Sequence, residues 1–356
     1  MPSPNTPGGV GHYYSKIKPH LKSEVTYFVR GVRNQRSSFS RLLFPLTQVY
    51  DTIRFLFFLL VGRYSLVHVN TSFGLTGIYR DAIFIFLTRI FRKQFIVFFR
   101  GIDKEFIVQI EKKHWRIFKT SFLKAKVILV LSNWMKEKLL EWNYQGDIIL
   151  ETTTVDSKLL KAFNIENSVL KHKRSEPVEI LFLSRLEKAK GIYEAIDAFR
   201  IINGKYPNTI FRICGDGNET TKVLEYVGND LGKSIFFEGF IAGAKKIEAL
   251  TKAHIFLFPS YAEGMPNALL EAIAFGLPIV TSDVGGIPDF FVEPQMGFIT
   301  HSIQPEVLAS LMEKLIVNPE ECIKIGRYNF EFAKNRFYAE NVADRLDSYY
   351  SKLIEC

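Results

Sequence analysis

Short, mostly apolar segments alternate with helix-length segments through the second half of the chain, and this alternation constrains the fold most strongly. The strand-like segments are Val178–Leu183, Thr209–Cys214, Ser234–Phe237, His254–Phe258 and Pro278–Thr281. Helical segments such as Ile192–Lys205, Ala244–Lys252 and Asn267–Phe275 lie between them. Strands that are apolar on both faces and separated by helices are typical of a parallel, doubly wound sheet, which binds ligands at the carboxyl ends of its strands.

The first half of the chain shows the same alternation less regularly. Its predicted strands are Val25–Val29, Leu66–Asn70, Phe95–Phe99 and Val127–Leu131, joined by aromatic-rich helices that include Arg41–Val61 and Arg80–Phe91. The polar stretch Asp156–Pro177 has no apolar periodicity and is interpreted as a linker. We therefore predict an α/β protein in which two Rossmann-like, doubly wound domains face each other across a cleft.

Length, cysteine content and apolar runs limit the environment of the protein. A chain of 356 residues is long enough for two cores, and three widely spaced cysteines indicate a reducing compartment without disulfides. The first nine residues lack the features of a secretory signal, and the apolar run from Phe55 to Gly62 is too short to span a bilayer. These features predict a cytoplasmic protein.

Positive charge is concentrated in the first half of the chain. Residues 1–156 carry 23 Lys and Arg against 11 Asp and Glu, a balance of +12, whereas the remainder has a balance of −3. Such asymmetry indicates an anionic partner, which on charge alone is a lipid surface, a phosphorylated acceptor or nucleic acid. The basic residues Arg92, Lys93, Lys112 and Lys113 predict salt-sensitive docking to anionic membranes, while the apolar residues of the helix before Arg92 are expected to pack inside the domain.

The segment Pro259–Gly276 has the pattern of a ligand-binding strand–loop–helix unit. A buried strand ends at Phe258, a loop carries Glu263, and a helix begins near Pro266 with free amides suited to a diphosphate. Asn267 and Glu271 share one face of this otherwise apolar helix. Burying a carboxylate on an apolar helix costs free energy unless hydrogen-bond donors satisfy it. The donors are either two ribose hydroxyls or an internal Lys or Arg, and both alternatives remain open.

Two other strand ends carry candidate residues. Arg185 and Lys190 flank a loop after the first strand of the second half, where they would clamp two phosphates or belong to an ordinary solvated loop. Gly215 and Gly217 follow the next strand, where glycine allows close approach of a base or ribose. By contrast, Gly228–Ser234 has the wrong glycine spacing for a phosphate-binding loop and is interpreted as a helix end and turn, and His68, inside an apolar strand, as a core residue.

These motifs occur in one order, which resembles that of a known enzyme family. The order is the Arg185 to Gly191 loop, Gly215-Asp216-Gly217, Phe237-Glu238-Gly239-Phe240, the Pro259-Ser260 strand end, Glu263 and Glu271 eight apart, and Val284-Gly285-Gly286-Ile287-Pro288. Together they resemble the C-terminal domain of family 4 retaining glycosyltransferases, which have the two-domain GT-B architecture. The resemblance implies an N-terminal acceptor-side domain over residues 1–165, a nucleotide-sugar-binding domain over 166–337, and a helix over 338–356 that packs back on the first domain.

The same resemblance implies a role for each candidate residue. Glu263, Arg185 and Lys190 are the expected catalytic residues, with Arg185 and Lys190 on the donor diphosphate and Glu263 on a hydroxyl of the sugar. Glu271 is expected to bind the ribose, and the other donor-binding candidates are Gly9, Gly215, Gly217, Phe240, Gly264, Met265 and Asn267. His12, Arg100 and Asp103 are the acceptor-side candidates. No cofactor or metal is expected, since no Asp-x-Asp pair occurs in the sequence.

Three departures from the family pattern stand out. The chain begins almost on the glycine loop Pro7–Val10, so the first strand is missing or the true start lies upstream. Many family members have His-Gly after the fourth strand, where this chain has Arg100-Gly101. The family's Asn-Gly-Val-Asp at the hinge between the domains is replaced here by Thr153-Thr154-Val155-Asp156.

The expected function is transfer of a sugar from a UDP- or GDP-linked donor to a glycan or lipid-linked acceptor. The expected setting is bacterial surface polysaccharide or lipopolysaccharide synthesis, at the cytoplasmic face of the membrane and without nucleic acid. The alternatives are a nucleotide-sugar 2-epimerase on the same fold, which would need no acceptor, and a non-enzymatic basic membrane-binding module, which would not need Arg185, Lys190 and Glu271.

Overall fold

The computed structural model describes residues 9–30, 44–71, 73–101, 104–173 and 177–355. The chain forms two compact units, the first made of residues 1–153 and 339–356 and the second of residues 154–338. The division thus falls before the expected boundary at 165/166. The Val155 amide and the Thr154 hydroxyl both donate to the carbonyl of Phe337, at 2.8 and 3.1 Å, which joins residues 154 and 155 to the end of the second unit.

The second unit is built on a six-stranded sheet whose strands are all parallel. The strands are β5 (Val178–Leu183), β6 (Thr209–Cys214), β7 (Ile235–Gly239), β8 (Ile255–Phe258), β9 (Ile279–Ser282) and β10 (Gly297–Thr300), in the spatial order β10-β9-β8-β5-β6-β7. β5 and β8 are neighbours although two strands separate them in sequence. This reversal is the switch point of a doubly wound sheet, so the sequence prediction holds here.

Helices cover this sheet and bury its apolar side chains. The α-helices are Ile165–Val169, Ile192–Lys205, Thr220–Val227, Gly243–Lys252, Asn267–Ala274, Pro305–Ile316 and Pro319–Arg336, and the 3₁₀ turns are Ser157–Leu160, Leu170–Lys173, Lys188–Lys190 and Gly228–Asp230. Phe182 and Phe211 of the strands pack with Phe199 of a helix in the core. The interpretation of Gly228–Ser234 as a helix end and turn is confirmed, since this segment precedes β7.

The first unit has a four-stranded parallel sheet in its described residues. Its strands β1 (Leu66–Thr71), β2 (Gln94–Phe99), β3 (Val127–Val130) and β4 (Asp147–Leu150) lie side by side in sequence order. The α-helices are Gly9–Ile17, Phe44–Val61, Leu75–Ile90, Lys104–Gln109, Trp115–Ser121, Asn133–Glu141 and Ala339–Glu355; Ile110–His114 is a π-helical turn, and Lys18–His20 and Phe122–Lys124 are 3₁₀ turns. The last helix packs on Gly9–Ile17 and β1.

Two predicted segments differ from the structure. Residues 21–30 form no strand, because Val25–Val29 make no ladder with β1 or any other described strand, and β propensity without a pairing partner does not produce a strand. The predicted linker Asp156–Pro177 instead contains short helices whose first amides are capped by the Asp156 and Asn164 side chains, and Val169 is buried in the second unit. Strands β4 and β10 were not predicted.

His68 of β1 is a satisfied core residue, as interpreted from the sequence. Its ring nitrogens lie 3.2 Å from the hydroxyl of Tyr14 and 2.7 Å from that of Tyr350. Burial lowers the pKa of His68 to about 3, with the positive charge of Arg100 acting in the same direction. The ring is therefore neutral at physiological pH, and its hydrogen bonds join β1 to the first and last helices.

Candidate functional site

The candidate site lies at the switch point of the second sheet. β5 pairs with β8, and the loops that follow these two strands leave the sheet at the same carboxyl edge. Residues 184–191 form the loop after β5, and residues 259–266 form the loop after β8. Ligands of doubly wound sheets bind in the crevice outside such a switch point, which is where the sequence predicted most of the donor-binding residues.

Three backbone-based contacts hold the two loops together. The Ser260 hydroxyl and the Tyr261 amide donate to the carbonyl of Ala189 at 3.0 and 2.9 Å. Gly191 has a φ of +69°, and a Cβ atom there would lie 1.9 Å from the carbonyl oxygen of Pro259. A side chain at position 191 would therefore force the loops apart, so glycine fixes their spacing.

The predicted catalytic residues Lys190 and Glu263 meet across these loops. Lys190 Nζ donates to Glu263 Oε1 at 2.6 Å, and only 12% and 10% of the two side chains are exposed. A pair so little solvated is screened weakly, and each charge depends on the other for compensation. The pair therefore presents a fixed cation and a fixed carboxylate at the strand ends.

Arg185 differs from Lys190 in its surroundings. Its guanidinium is largely exposed and donates from Nη1 to Glu187 Oε1 at 2.5 Å within the same loop. An exposed ion pair of this kind contributes little to stability. Arg185 is thus able to exchange Glu187 for an incoming anion at small cost.

From the sequence, the Glu271 carboxylate could bind either ribose hydroxyls or an internal Lys or Arg. In the structure its partner is a lysine, Lys246. Glu271 is buried on the helix Asn267–Ala274, and Lys246 Nζ lies 2.9 Å from both of its carboxylate oxygens. Lys246 belongs to the helix Gly243–Lys252 and was not identified from the sequence. No local motif indicates it, because it is one of two adjacent lysines and meets Glu271 only through packing.

A second glycine turn supports the Glu263 loop. Gly285 has a φ of +63°, and a Cβ atom there would lie 1.9 Å from the carbonyl oxygen of Glu263. The next amide, that of Gly286, donates to the carbonyl of Gly264 at 2.8 Å. The Val284–Pro288 motif thus acts on the candidate site by fixing the backbone that carries Glu263.

Gly215 and Gly217 have a packing role. A Cβ atom at Gly215 would lie 1.8 Å from the Ser184 carbonyl oxygen, and one at Gly217 would lie 2.3 Å from the Leu186 carbonyl oxygen. The Leu186 amide also donates to the Asp216 carbonyl at 3.1 Å. These glycines therefore bring the loop after β6 against the loop that carries Arg185 and Lys190.

The remaining donor-side candidates surround this edge of the second unit. Met265 is buried, Gly264 and Asn267 are partly exposed, and Phe240, directly after β7, has a solvent-exposed ring. The helix that begins at Asn267 has no side-chain cap at Pro266, so its first amides are not capped from that position. An anion at this helix end would accept hydrogen bonds from those N–H groups.

The other candidates lie in the first unit. Gly9 is the first residue of the helix Gly9–Ile17, and His12 on that helix is exposed. The Arg100 guanidinium lies 3.9 Å from the ring centroid of Tyr13 and 4.4 Å from that of Phe98. Asp103 lies outside the described residues. In the described ranges, no group of three or more His, Cys, Asp or Glu side chains is arranged to hold a metal ion.

A family model and several known proteins match parts of the chain. Residues 164–332 match the model of the family described as glycosyl transferases group 1. The chain is 24% identical over 240 residues to the capsular polysaccharide biosynthesis glycosyltransferase CapM of Staphylococcus aureus, covering 65% of this chain and 63% of that protein. It is 28% identical over 211 residues to the amylovoran biosynthesis glycosyltransferase AmsK of Erwinia amylovora, covering 57% of this chain and 51% of that protein.

Solved structures resemble nearly the whole chain. Anabaena HepE, solved in complex with UDP, has a TM-score of 0.71 at 16% identity and covers 89% of this chain and 90% of its own. A glycosyltransferase from Rickettsia africae has a TM-score of 0.67 at 17% identity, covering 92% of this chain and 85% of its own. The prediction of two parallel-sheet α/β domains of the GT-B class is confirmed. The matches to CapM and AmsK span from about half to just under two thirds of those proteins.

Proposed function

We propose that this chain is a retaining glycosyltransferase that moves a sugar from a UDP- or GDP-linked donor to a glycan or lipid-linked acceptor. The observation that carries the proposal is the meeting of Lys190 and Glu263 at the switch point of the second sheet, inside the segment that matches glycosyl transferases group 1. CapM and AmsK are named as polysaccharide biosynthesis glycosyltransferases, which supports a role in bacterial surface polysaccharide synthesis.

The proposed chemistry follows from where negative charge develops. As the glycosidic bond breaks, the leaving nucleoside diphosphate gains charge, which Arg185, Lys190 and the helix end at Asn267 would stabilise. Glu263 would accept a hydrogen bond from a hydroxyl of the transferred sugar, and Glu271 would accept hydrogen bonds from the ribose hydroxyls. Lys190 is held by Glu263, and the helix end is part of the backbone framework, so these two positive groups would need little reorganisation in the transition state. Arg185 would join them by exchanging Glu187 for the diphosphate, and no metal ion would be required for this role.

The other candidates complete the proposed site. Gly215, Gly217, Phe240, Gly264 and Met265 would lie along the nucleotide and the sugar, and the Gly9 backbone would contact the donor phosphate. His12, Arg100 and Asp103 would serve the acceptor. The net charge of the first 156 residues supports an acceptor presented at the cytoplasmic face of a membrane.

Donor binding is tested by thermal unfolding with a panel of UDP- and GDP-sugars, with ADP-glucose as the control. A ligand that binds only the folded protein at 100 times its Kd adds about 2.7 kcal/mol to the unfolding free energy, so the true donor must raise Tm. No rise with any UDP- or GDP-sugar contradicts the proposed donor class.

Transfer is then measured with the identified donor and a lipid-linked glycan fraction, and the anomeric configuration of the product is read by NMR. Retention of the donor configuration is expected. Release of an epimerised nucleotide sugar in the absence of any acceptor would instead identify the 2-epimerase alternative.

A further inference from the structure

The helix Phe44–Val61 exposes an unusually apolar outer face. Seven large apolar side chains recur on it at spacings of one, three or four residues, and each is 57 to 65% exposed: Leu46, Val49, Tyr50, Ile53, Phe57, Leu60 and Val61. On the opposite face, Phe55 and Leu59 are buried in the first unit. A surface helix of a globular protein normally directs polar side chains outward, whereas this helix is apolar on both faces.

The neighbouring helix Leu75–Ile90 has a second exposed apolar stripe. Its exposed members are Leu75, Tyr79, Ile83, Phe86 and Ile90, each between 42 and 60% exposed. The two helices pack through Phe55 and Phe84, whose ring centroids are 4.8 Å apart. The expectation that the apolar residues of the second helix pack inside the domain was therefore only partly right: Phe84 and Ile85 are buried, and Ile83 and Phe86 are not.

Residues 44–93, which contain both stripes, expose charges of one sign. From residue 44 to residue 93 the only carboxylates in the sequence are Asp51 and Asp81. Both are buried, and each has an arginine partner: Arg54 for Asp51, at 3.5 Å, and Arg80 for Asp81, at 2.9 Å. The exposed charges of residues 44–93 are therefore basic.

A basic cluster borders the C-terminal ends of both helices. Leu60 of the first stripe lines the same depression as Arg63, Arg92 and Lys93. An adjoining open groove of about 940 Å³ is lined by Arg89, Arg92, Lys93, Lys119, Lys124 and Lys126, together with two acidic residues, Glu141 and Asp147. Apolar stripe and cationic rim are thus continuous.

We infer that the helix Phe44–Val61 lies in the surface of an anionic bilayer, with its apolar stripe below the headgroups and Arg63, Arg92 and Lys93 on lipid phosphates. An in-plane helix needs a large apolar face and cationic residues beside it, and both are present. The amphipathic ring of Tyr50 suits the boundary between headgroups and acyl chains. None of the described helices is long and apolar enough to cross a membrane.

Charge distinguishes a bilayer from a second copy of the chain. A symmetric dimer would place this surface against itself and bring its arginines together, which costs free energy, whereas anionic lipids neutralise them. The inference deepens the proposal that the enzyme acts at a membrane, but it concerns lipid binding alone and does not require sugar transfer.

The test is sedimentation with phosphatidylcholine vesicles, with and without phosphatidylglycerol. The stripe variant carries Ile53→Ser, Phe57→Ser and Leu60→Ser, and its matched control carries Leu140→Ser, Ile201→Ser and Val317→Ser, which are exposed apolar residues off both stripes. We expect the stripe variant to lose on the order of 1,000-fold in affinity for phosphatidylglycerol vesicles, since each of the three inserted side chains contributes about tenfold or more. The control should bind as the unchanged protein does.

Insertion is separated from electrostatic attachment by two further measurements. Phe57→Trp should give a blue-shifted emission component that brominated lipid quenches, whereas Ile201→Trp should not. Arg63→Gln with Arg92→Gln and Lys93→Gln should weaken binding and reduce its salt dependence. Binding that is equal in the stripe variant and its control, or Phe57→Trp emission unaffected by brominated lipid, overturns the inference.

Lipid binding is separated from dimer formation and from catalysis by two more results. If the unchanged protein ignores both vesicle types and the stripe substitutions convert a dimer to a monomer, the occupant of the stripe is a second copy and the inference is wrong. An Arg185→Ala protein, in which sugar transfer is expected to be strongly slowed, should still bind vesicles normally. Failure of lipid binding is thereby distinguished from failure of the proposed transfer activity.

Discussion

Lys190 and Glu263 are 73 residues apart in sequence, yet they form a 2.6 Å ion pair that joins the loops after β5 and β8. The pair holds both charges at the edge where a doubly wound sheet binds its ligand. Removing either residue therefore affects more than a contact with the donor, because the remaining charge loses its partner.

The first prediction compares two cations of one loop. Arg185→Ala and Lys190→Ala should each lower kcat/KM about 30-fold or more, since a lost transition-state charge contact is worth roughly 2 to 4 kcal/mol. Only Lys190→Ala should also lower Tm, because it leaves Glu263 largely buried without its cation, whereas Arg185 is exposed. Lys188→Ala, which removes an exposed cation from the same loop, is the control for net charge. Near-normal kcat/KM in both variants would show that these cations do not act on the donor.

The second prediction concerns Glu271 and the ribose. Glu271→Gln should weaken binding of the donor nucleoside diphosphate about tenfold, because an acceptor that is charged binds hydroxyls more strongly than an amide does. The 2′,3′-dideoxy form of the same nucleotide lacks those hydroxyls, so its affinity should not change. Glu248→Gln, which removes an exposed lysine-paired carboxylate, is the control. Equal loss for both nucleotides, measured by calorimetry, would instead assign Glu271 a structural role with Lys246.

The place of the candidate site in the fold could be predicted because it depends on local patterns. Strand β8 is apolar throughout, β5 is apolar except for Glu179, and the helix Ile192–Lys205 has the bounds predicted from its periodicity. Since parallel strands end at a common edge, the loops with Arg185, Lys190 and Glu263 could be assigned to one region without coordinates. The partner of Glu271 could not, because Lys246 is 25 residues away and only packing brings it close.

The first unit was harder to predict for two physical reasons. A β-rich segment such as Val25–Val29 forms a strand only when another strand pairs with it, and the sequence does not contain that information. A helix that is apolar all round, such as Phe44–Val61, has the same pattern whether it is buried or faces lipid. The structure distinguishes the two faces, because Phe55 and Leu59 pack in the core and the residues of the stripe lie on the outside.

The third prediction concerns metal ions. The sequence has no Asp-x-Asp pair, and the proposed site uses Arg185, Lys190 and a helix end to stabilise the leaving diphosphate. We therefore expect the transfer rate to be unchanged in excess EDTA. The measurement is initial rate with EDTA alone and with Mg²⁺ or Mn²⁺ restored. A rate that falls with EDTA and returns with either ion would require a metal-dependent mechanism.

The fourth prediction uses a buried histidine of the second unit. The Glu179 amide donates to Nδ1 of His254 at 3.1 Å, so this nitrogen is an acceptor and the ring is neutral. Burial lowers the pKa of His254 to about 4, and the nearby positive charge of Lys171 acts in the same direction. Because the folded pKa lies below the unfolded value of about 6.5, this group's stabilising contribution is complete above pH 6.5 and is lost as the pH falls toward 4.

Replacement of His254 should therefore change the pH dependence of stability as well as its magnitude. His254→Asn is expected to lower Tm at pH 7, where the well-packed ring is lost, and to flatten the decline of unfolding free energy between pH 6 and 4.5. The difference in slope should approach about 1.4 kcal/mol per pH unit, the value for one proton. Urea unfolding across this pH range measures it, with the exposed His12→Asn as the control. Parallel profiles for His254→Asn and the unchanged protein would mean that His254 does not take up a proton on unfolding in this range.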